Sequence, residues 1–151
     1  MSDLQSPDNV QARAAQEDPI IMYLIVRESL NMSVGKTAAQ CAHASQMLLL
    51  KYWELYESEK ERCAESLSVN DINQSQLDLF SKWLNSSFRK VVLRADDKEW
   101  AKLKSSLEEN DVIVVDAGLT EIPAQSETVI GLCPMRKSLV GKLIKRLQVL
   151  K

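Results

Sequence analysis

The fold is decided by three consecutive segments, Ile20-Ile-Met-Tyr-Leu-Ile-Val26, Arg27-Glu-Ser-Leu-Asn-Met-Ser33 and Val34-Gly-Lys-Thr-Ala-Ala-Gln40. The first is an apolar run, which predicts a strand buried on both faces. The second is too polar and irregular to continue that strand. From Lys36 onward, apolar residues recur near helical spacing, which predicts a long helix. Because the backbone N–H groups at a helix start are unpaired, a turn containing Gly35 and Lys36 favours anion chemistry.

A Gly-Lys-Thr sequence after a strand also suggests a nucleotide-binding P-loop. That motif needs a further glycine five residues before the glycine of Gly-Lys-Thr. The residue at that position is Leu30. Without a glycine-rich backbone to cradle phosphates, binding of a nucleoside triphosphate is disfavoured.

The remainder of the chain alternates predicted strands with predicted helices. Further strands are expected at 89–94, 112–115 and 128–132, and further helices at about 75–85, 98–110 and 137–147. Such alternation predicts an α/β fold with parallel strand pairs and right-handed crossovers. The last two strands are joined without a helix, so they are expected to be antiparallel. The sequence therefore predicts a single α/β domain with a mixed four-stranded sheet and helices on both faces, in three α/β/α layers.

Length and composition suit one globular domain, since the chain has 151 residues of which 45% are hydrophobic. Residues 1–18 are polar and lack apolar periodicity, which predicts a disordered N-terminal arm before a domain at 19–151. No apolar run resembles a signal segment or a membrane span, which favours a cytoplasmic protein. The three cysteines lack metal-ligand spacing and the single histidine cannot build a multi-histidine centre, so no metal centre is expected from these residues.

Charge gives an ambiguous indication of nucleic-acid binding. The net charge of −2 provides no global attraction for phosphates. The segment 134–151, however, contains no acidic residue and carries several basic ones, including Arg136 and Lys137. A basic C-terminal helix could hold phosphates or could simply be a solvated face with favourable charge near its end. Charge alone leaves both interpretations open.

Two candidate functional residues follow predicted strands. Asp116 comes directly after the strand at 112–115, and Lys36 lies in the turn after the first strand. Because the carboxyl ends of parallel strands form one rim, both fall where α/β sheets bind ligands. A carboxylate there can orient water or a lysine, but it can equally be a turn residue that bonds its own backbone. Lys90, at the start of another strand, could be an edge lysine that discourages sheet pairing.

Other polar residues have ordinary structural interpretations. Thr120 could satisfy loop backbone, and Thr128 has good β propensity. His43 lies on a mostly apolar helix, so a core position is expected rather than a catalytic one.

The turn and the long helix also match a known signature. Met32-Ser-Val-Gly-Lys36 and Ala38-Ala-Gln-Cys-Ala-His43 resemble the opening motif of class 2 (archaeal and eukaryotic-type) peptidyl-tRNA hydrolases, which reads roughly M-G-K-G-K-x-A-A-Q-C-S-H. The D-A-G-x-T motif of that family is present as Asp116-Ala-Gly-Leu-Thr120, and Lys90 begins a similar Lys-Val-Val run. The resemblance extends over about 20–151.

The resemblance implies hydrolysis of the ester between peptide and tRNA in peptidyl-tRNA, which recycles the tRNA. An ester is labile enough to need only aimed hydrogen bonds, a positioned water and charge stabilisation, so no metal or cofactor is implied. The implied partner is tRNA, and a homodimer is possible because family members are often dimeric. The implied catalytic residues are Lys36, Gln40, Lys90, Asp116, Thr120 and Thr128. The implied substrate-binding residues are Gly35, Gly118, Ser126, Arg136 and Lys137.

Four positions depart from the family pattern. Val34 and Leu119 stand where lysine and arginine are usual. Glu121 stands where glutamine is usual, and Cys133 replaces a glycine. The lost positive charges and the added negative charge predict weaker phosphate binding at this rim, although the proposed catalytic set is intact.

Two other functions remain open on the sequence. The region 51–87 is longer than in the resembled family, and a helical hairpin with Trp53, Tyr56 and Trp83 could be the partner surface of a non-catalytic tRNA- or protein-binding module. The chain could also be an esterase for another aminoacyl or peptidyl ester.

Overall fold

The computed structural model describes residues 18–65, 68 and 71–151. The arm predicted over 1–18 therefore lies outside the described residues except for Asp18. The carboxylate of Asp18 accepts hydrogen bonds from the backbone N–H (2.8 Å) and the hydroxyl (2.5 Å) of Ser138, so Asp18 is joined to the C-terminal part of the fold. Among the described residues, no helix combines the length and the apolar character needed to cross a membrane.

Strands and helices alternate along the described chain. The strands are β1 (Ile20–Arg27), β2 (Lys90–Ala95), β3 (Val112–Val115), β4 (Glu127–Arg136) and β5 (Gln148–Val149). The α-helices are α1 (Val34–Ala64), α2 (Asp71–Leu84), α3 (Asp97–Ser105) and α4 (Lys142–Arg146), with 3-10 turns at Glu28–Leu30 and Lys137–Leu139. Asp96 caps α3 and forms a reciprocal capping box with Glu99.

The strands form one mixed sheet in the order β3-β4-β1-β2-β5. β1 is parallel to β2, and β4 runs antiparallel to both β1 and β3. The carboxyl ends of β1, β2 and β3 therefore share one edge, and the predicted α/β class with a mixed sheet is confirmed. The predicted number of four strands is too low, because Gln148–Val149 adds an antiparallel strand beside β2. Two residues are too few for an alternating pattern to reveal a strand.

The C-terminal segment differs from the helix predicted over 137–147. β4 extends beyond the strand predicted over 128–132 and continues through Pro134 to Arg136. Opposite this proline, the pairing of β4 with β1 shifts register between Ile21 and Tyr23. Proline cannot donate to a sheet, and a bulge is one of the few places where a strand accepts it. Only the short α4 remains of the predicted α-helix.

Helices cover both faces of the sheet, as predicted. Alternate side chains of β1 point to opposite faces. Met22 and Leu24 belong to the core shared with α1 and α2, whereas Tyr23 and Ile25 belong to the core shared with Trp100 of α3 and the C-terminal segment. The sheet is thus buried between two apolar layers.

α1 lies unusually close to the sheet at Gly131 of β4. A Cβ built on Gly131 would lie 2.9 Å from Val112 Cγ2, 3.1 Å from Leu48 Cδ1 and 3.3 Å from Ala44 Cβ. A larger residue would push α1 away from the strands. The absence of a side chain at Gly131 therefore lets α1 pack closely against β4 at Ala44 and Leu48.

The hairpin of α1 and α2 differs in part from what the sequence predicts. Trp53 and Tyr56 are exposed, at 58% and 43%, as a partner surface would require. Trp83 is only 3% exposed and packs edge-on against Phe80, with 5.5 Å between ring centroids, so it belongs to the core.

His43 is exposed on α1, so the prediction of a core histidine is wrong.

Candidate active site

The loop after β3 holds Asp116 in a buried position. Its backbone N–H donates to the Ser126 carbonyl (2.9 Å) and its carbonyl accepts from the Gln125 N–H (2.8 Å), which closes the loop at its base. Its Oδ2 accepts the Gly118 N–H at 2.8 Å. Gly118 has a φ of +75°, and a Cβ there would lie 2.4 Å from the Ala124 Cα. The loop therefore requires glycine at this position, and that glycine presents an N–H to the carboxylate.

The first turns of α1 bring Lys36 and Gln40 to the same carboxylate. Ser33 caps the helix, since its hydroxyl oxygen accepts the Lys36 N–H at 3.2 Å. Lys36 and Gln40 lie one helical turn apart and share a face. Nζ of Lys36 and Nε2 of Gln40 both donate to Oδ1 of Asp116, at 2.5 Å and 2.9 Å.

Thr128 fixes the orientation of Gln40. Its hydroxyl donates to Oε1 of Gln40 at 2.6 Å and also lies 3.2 Å from the Val114 carbonyl oxygen. An amide whose oxygen accepts from Thr128 turns its NH2 group toward Asp116. Gln40 is 3% exposed and Thr128 is fully buried, so both residues support Asp116 from the protein interior.

Thr120 lies on the solvent side of the cluster. Its Oγ1 accepts from Nζ of Lys36 at 3.0 Å, and the residue itself is exposed. Asp116 and Thr120 thus engage two of the three N–H groups of the ammonium. The third N–H and the Thr120 hydroxyl proton can both be directed at a substrate oxygen.

The cluster lowers the pKa of Asp116 below its ordinary value of 3.8. The hydrogen bond from Lys36 is the largest cause, burial opposes it, and the bonds from Gly118 and Gln40 lower the pKa further. Asp116 is therefore ionised at neutral pH. Such a carboxylate is a weak base, but it is well suited to hold Lys36 and to orient a water molecule.

Ser33 and Glu121 make a second contact between α1 and the Asp116 loop. The Glu121 carboxylate accepts the Ser33 N–H at 2.8 Å and also the Ser33 hydroxyl. These bonds, the hydroxyl's first, lower the pKa of Glu121. This contact is not predicted from the sequence. Serine is a common N-cap, so that role could have been read locally, but 88 residues separate Ser33 from Glu121 and no local pattern joins them.

The structure does not bring Lys90 to this cluster. Lys90 begins β2 and pairs with Met22 of the parallel strand β1, so it lies at the amino edge of these strands. This edge is about 17 Å along the strands from Thr128 and Asp116, at 3.3 Å per residue. Nζ of Lys90 instead lies 4.8 Å from the ring centroid of Trp83.

The predicted substrate-binding residues are divided between the two edges. Arg136 pairs with Ile20 at the amino end of β1, so Arg136 and the adjacent Lys137 lie far from Asp116. Ser126 lies in the Asp116 loop, where its hydroxyl donates at 2.7 Å to a carbonyl of the same loop. Gly35 lies in the first turn of α1, with open space where a Cβ would stand.

Fold and site together define a class of protein. It is a single-domain α/β protein whose mixed sheet carries a buried carboxylate, held by a lysine and an amide, at the carboxyl edge of its parallel strands. Among residues 18–65, 68 and 71–151, no group of three or more His, Cys, Asp or Glu side chains could hold a metal ion.

Known proteins place the chain in a family. The family model for peptidyl-tRNA hydrolase PTH2 matches residues 20–150, so the chain belongs to this family. The chain is 32% identical over 127 residues to peptidyl-tRNA hydrolase 2 of Saccharomyces cerevisiae, a match that covers 81% of this chain and 54% of the yeast protein. It is 27% identical over 130 residues to peptidyl-tRNA hydrolase of Thermococcus onnurineus, covering 83% of this chain and 93% of that protein.

The matched length differs between these groups of relatives. The probable peptidyl-tRNA hydrolase 2 of Schizosaccharomyces pombe is 30% identical over 150 residues, which cover 97% of this chain and 63% of that protein. The chain thus spans between half and two thirds of the fungal proteins that it matches, and nearly the whole of the archaeal one.

Proposed function

We propose that this chain hydrolyses the ester that joins a peptide to the 3′ end of tRNA, which frees the peptide and the tRNA. The observation that supports it is the cluster of Lys36, Gln40, Asp116, Thr120 and Thr128 at one edge of the sheet. All of these residues except Thr128 stand in the motifs through which the sequence resembles the family. Because the substrate arises in translation, the proposed place of action is the cytoplasm.

The proposed chemistry needs only side chains and water. Water attacks the ester carbonyl carbon, the bond from that carbon to the ribose oxygen breaks, and the water's proton reaches the ribose oxygen through solvent. The third N–H of Lys36 and the hydroxyl of Thr120 stabilise the negative charge that develops on the carbonyl oxygen. Asp116 holds Lys36 and orients the water, while the buried pair of Gln40 and Thr128 positions Asp116.

The three basic residues that lie away from the cluster are proposed to contribute to the affinity for tRNA. A tRNA is larger than this chain, so it can contact phosphate-binding groups at the far edge of the sheet while its ester lies at Lys36. Lys90, Arg136 and Lys137 are placed at that edge and would bind phosphates rather than act in the chemical step. Light scattering would decide whether the chain forms the homodimer that the resemblance implies.

The proposal is tested by turnover of N-acetyl-aminoacyl-tRNA. Lys36→Ala and Asp116→Asn should each lower kcat by about a hundredfold or more, the scale of a lost charge-stabilising contact. Lys60→Ala is a matched control, because Lys60 is a 66% exposed lysine on the same helix, about 36 Å further along at 1.5 Å per residue. Circular dichroism and thermal unfolding should show that each variant is folded.

The outcomes separate the proposal from its alternatives. Absence of turnover by folded wild type, at low and at moderate salt, would overturn the hydrolase proposal and favour a binding module. Turnover of simple aminoacyl esters that deacylated tRNA does not inhibit would favour an esterase for another substrate. If Asp116→Asn turned over the substrate as fast as wild type, the cluster would have no part in the mechanism.

A further inference from the structure

An exposed aromatic ring stands beside a cation at the amino edge of the sheet. Phe88 is 54% exposed and lies two residues before Lys90, the first residue of β2. Its ring packs at 84° against the ring of Trp83, with 5.7 Å between the centroids. Nζ of Lys90 lies 5.8 Å from the centroid of the Phe88 ring and donates to the Phe88 carbonyl at 3.2 Å. The ring and the ammonium are therefore held next to each other.

The turn that carries Phe88 is fixed from the protein interior. The carbonyl of Arg89 accepts the indole N–H of Trp83 at 2.8 Å and the backbone N–H of Met22 at 3.0 Å. Trp83 itself is only 3% exposed, so the Phe88 ring rests on the core. A side chain that is already held in place loses less conformational entropy when a ligand covers it.

The backbone conformation of Phe88 is unfavourable for a phenylalanine. Its φ of +51° lies in the left-handed region. Glycine and asparagine enter this region readily, whereas a bulky residue rarely does. Such strained conformations cluster at sites that bind ligands. Glycine or asparagine would make the same turn at a lower cost, so a ligand explains the large exposed ring better than the turn does.

The surroundings of Phe88 match a nucleotide better than an apolar partner. Residues 85–90 read Asn-Ser-Ser-Phe-Arg-Lys, with two cations, no acidic residue and no second apolar side chain. Proteins hold unpaired bases by stacking them on aromatic rings, with cations on the adjoining phosphates. An edge-on contact covers at most one face of a ring, so Trp83 leaves a face of Phe88 for a base. Lys90 uses one of its three N–H groups on the Phe88 carbonyl, which leaves donors for a phosphate.

We propose that Phe88 stacks on an unpaired base of the tRNA while Lys90 binds an adjoining phosphate. The inference rests on the proposed function and adds a base contact to the phosphate contacts at this edge. Arg136 extends the same surface, since only β1 separates β2 from β4 and the two strands are therefore about 10 Å apart. The contact is remote from Asp116, so it contributes to affinity and not to the chemical step.

The first test measures binding of deacylated tRNA to variants of Phe88. Phe88→Asn removes the ring at a backbone conformation that asparagine accepts, and it should raise Kd about tenfold, within the range for one stacked base. Phe88→Tyr keeps a flat ring and should bind like wild type. Phe88→Leu keeps apolar carbon without a flat ring and should bind as weakly as Phe88→Asn. Circular dichroism should show that each variant is folded.

Trp53→Leu is the matched control for these substitutions. Trp53 is an aromatic residue with a similar exposure of 58%, but it lies on α1 beside Glu54, with its ring centroid 5.8 Å from that of Tyr56. A nearby carboxylate repels phosphates, so this ring is not expected to contact RNA. The control should leave the Kd for deacylated tRNA unchanged.

A second test separates base stacking from phosphate binding. The probes are an oligouridylate of about ten nucleotides, within the range of known single-strand sites, and an oligonucleotide of the same length without bases. Wild type should bind the oligouridylate about tenfold more tightly, and Phe88→Asn should abolish that difference. Lys90→Ala should weaken both probes alike and reduce the slope of log Kd against log salt by about 0.7, the value for one phosphate of a single strand.

The outcomes distinguish this inference from the proposed function. The inference is overturned if wild type binds the two oligonucleotides equally, or if Phe88→Asn binds deacylated tRNA as tightly as wild type. Full affinity of Phe88→Leu would also overturn stacking and would favour an apolar contact of the kind that a protein partner makes. If wild type does not hydrolyse N-acetyl-aminoacyl-tRNA but Phe88→Asn still weakens tRNA binding, the hydrolase proposal fails and the base contact stands.

Discussion

The ammonium nitrogen of Lys36 lies 2.5 Å from Oδ1 of Asp116, although 80 residues separate the two in the chain. The contact exists because β1 and β3 point the same way and end at one edge, where α1 begins and the Asp116 loop leaves the sheet. Loss of either partner would leave a mostly buried charge without its counter-charge. The same ion pair therefore joins α1 to the Asp116 loop and holds Lys36 in place for the proposed reaction.

Thr128→Val tests whether the buried threonine acts through Gln40. The substitution keeps the shape of the side chain but removes the hydroxyl that bonds to Oε1 of Gln40. A buried amide oxygen without a partner should cost about 1–3 kcal/mol of unfolding free energy. The freed amide should also position Asp116 less well and lower kcat about tenfold, or about 1.4 kcal/mol, with little change in KM.

Urea unfolding and steady-state kinetics on the same samples would measure both effects of the Thr128 substitution. Thr128→Ser, which restores the hydroxyl, should recover most of kcat. A kcat that follows the loss of stability without this recovery would mean that the threonine is only a packing residue.

Gly118→Ala and Gly35→Ala form a matched pair of glycine substitutions. At Gly118 the backbone has a φ of +75° and an added Cβ would lie 2.4 Å from the Ala124 Cα, so unfolding free energy should fall by more than about 1 kcal/mol. At Gly35 nothing lies within 4 Å of the added atom, and stability should stay level or rise by up to about 1 kcal/mol. Thermal unfolding of both variants decides the matter, and equal losses would contradict the loop geometry.

Much of this arrangement could be predicted because it depends on local pattern. Lys36 and Asp116 each follow an apolar strand, and the rule that parallel strands share a carboxyl edge is enough to bring them together. The same rule could have separated Lys90 from them, since a residue that precedes a parallel strand lies at the opposite edge. The family motif carries no information about that edge, whereas the strand direction gives the position of Lys90 that the structure shows.

Other features could not be predicted from local pattern. β5 is only two residues long, which is too short for a recognisable pattern. Pro134 is typical of a helix start, and only its bulge against β1 explains why it lies in a strand. The bond between Ser33 and Glu121 depends on where two distant segments meet. In each case the deciding contact is tertiary, so neither propensity nor periodicity carries information about it.

Lys90→Ala tests the separation of this lysine from the chemical step. Because Lys90 lies at the amino edge of β2 and against the Trp83 ring, kcat should stay within about threefold of wild type. Stability should fall by about 0.5–1 kcal/mol through the lost cation–π contact. KM for the tRNA substrate should rise if Lys90 binds phosphate. A hundredfold fall in kcat in a folded variant would show that Lys90 takes part in the reaction.

The three cysteines should differ sharply in reactivity. Cys63 is exposed, whereas burial raises the pKa of Cys41 and, with the nearby Asp111 carboxylate, raises that of Cys133 to about 12. The thiolate is the reactive form, so a disulfide reagent at pH 8 should label one thiol quickly in the native protein and three after unfolding. Cys63→Ser should abolish the fast phase. Fast labelling that survives this substitution would mean that one of the other two is accessible.

Acid should remove the contribution of Asp116 to stability. The folded pKa of Asp116 is lowered below 3.8, chiefly by the bond from Lys36, so its stabilising effect is fully present above that pH and is lost as the pH falls through the folded pKa. The difference in unfolding free energy between wild type and Asp116→Asn should be equal at pH 7 and pH 5 and should shrink below pH 3.8. In a Lys36→Met background, the same comparison should lose most of its pH dependence. Urea unfolding of the four proteins across this range measures the effect, and a difference that stays constant down to pH 2 would contradict an ionised Asp116 paired with Lys36.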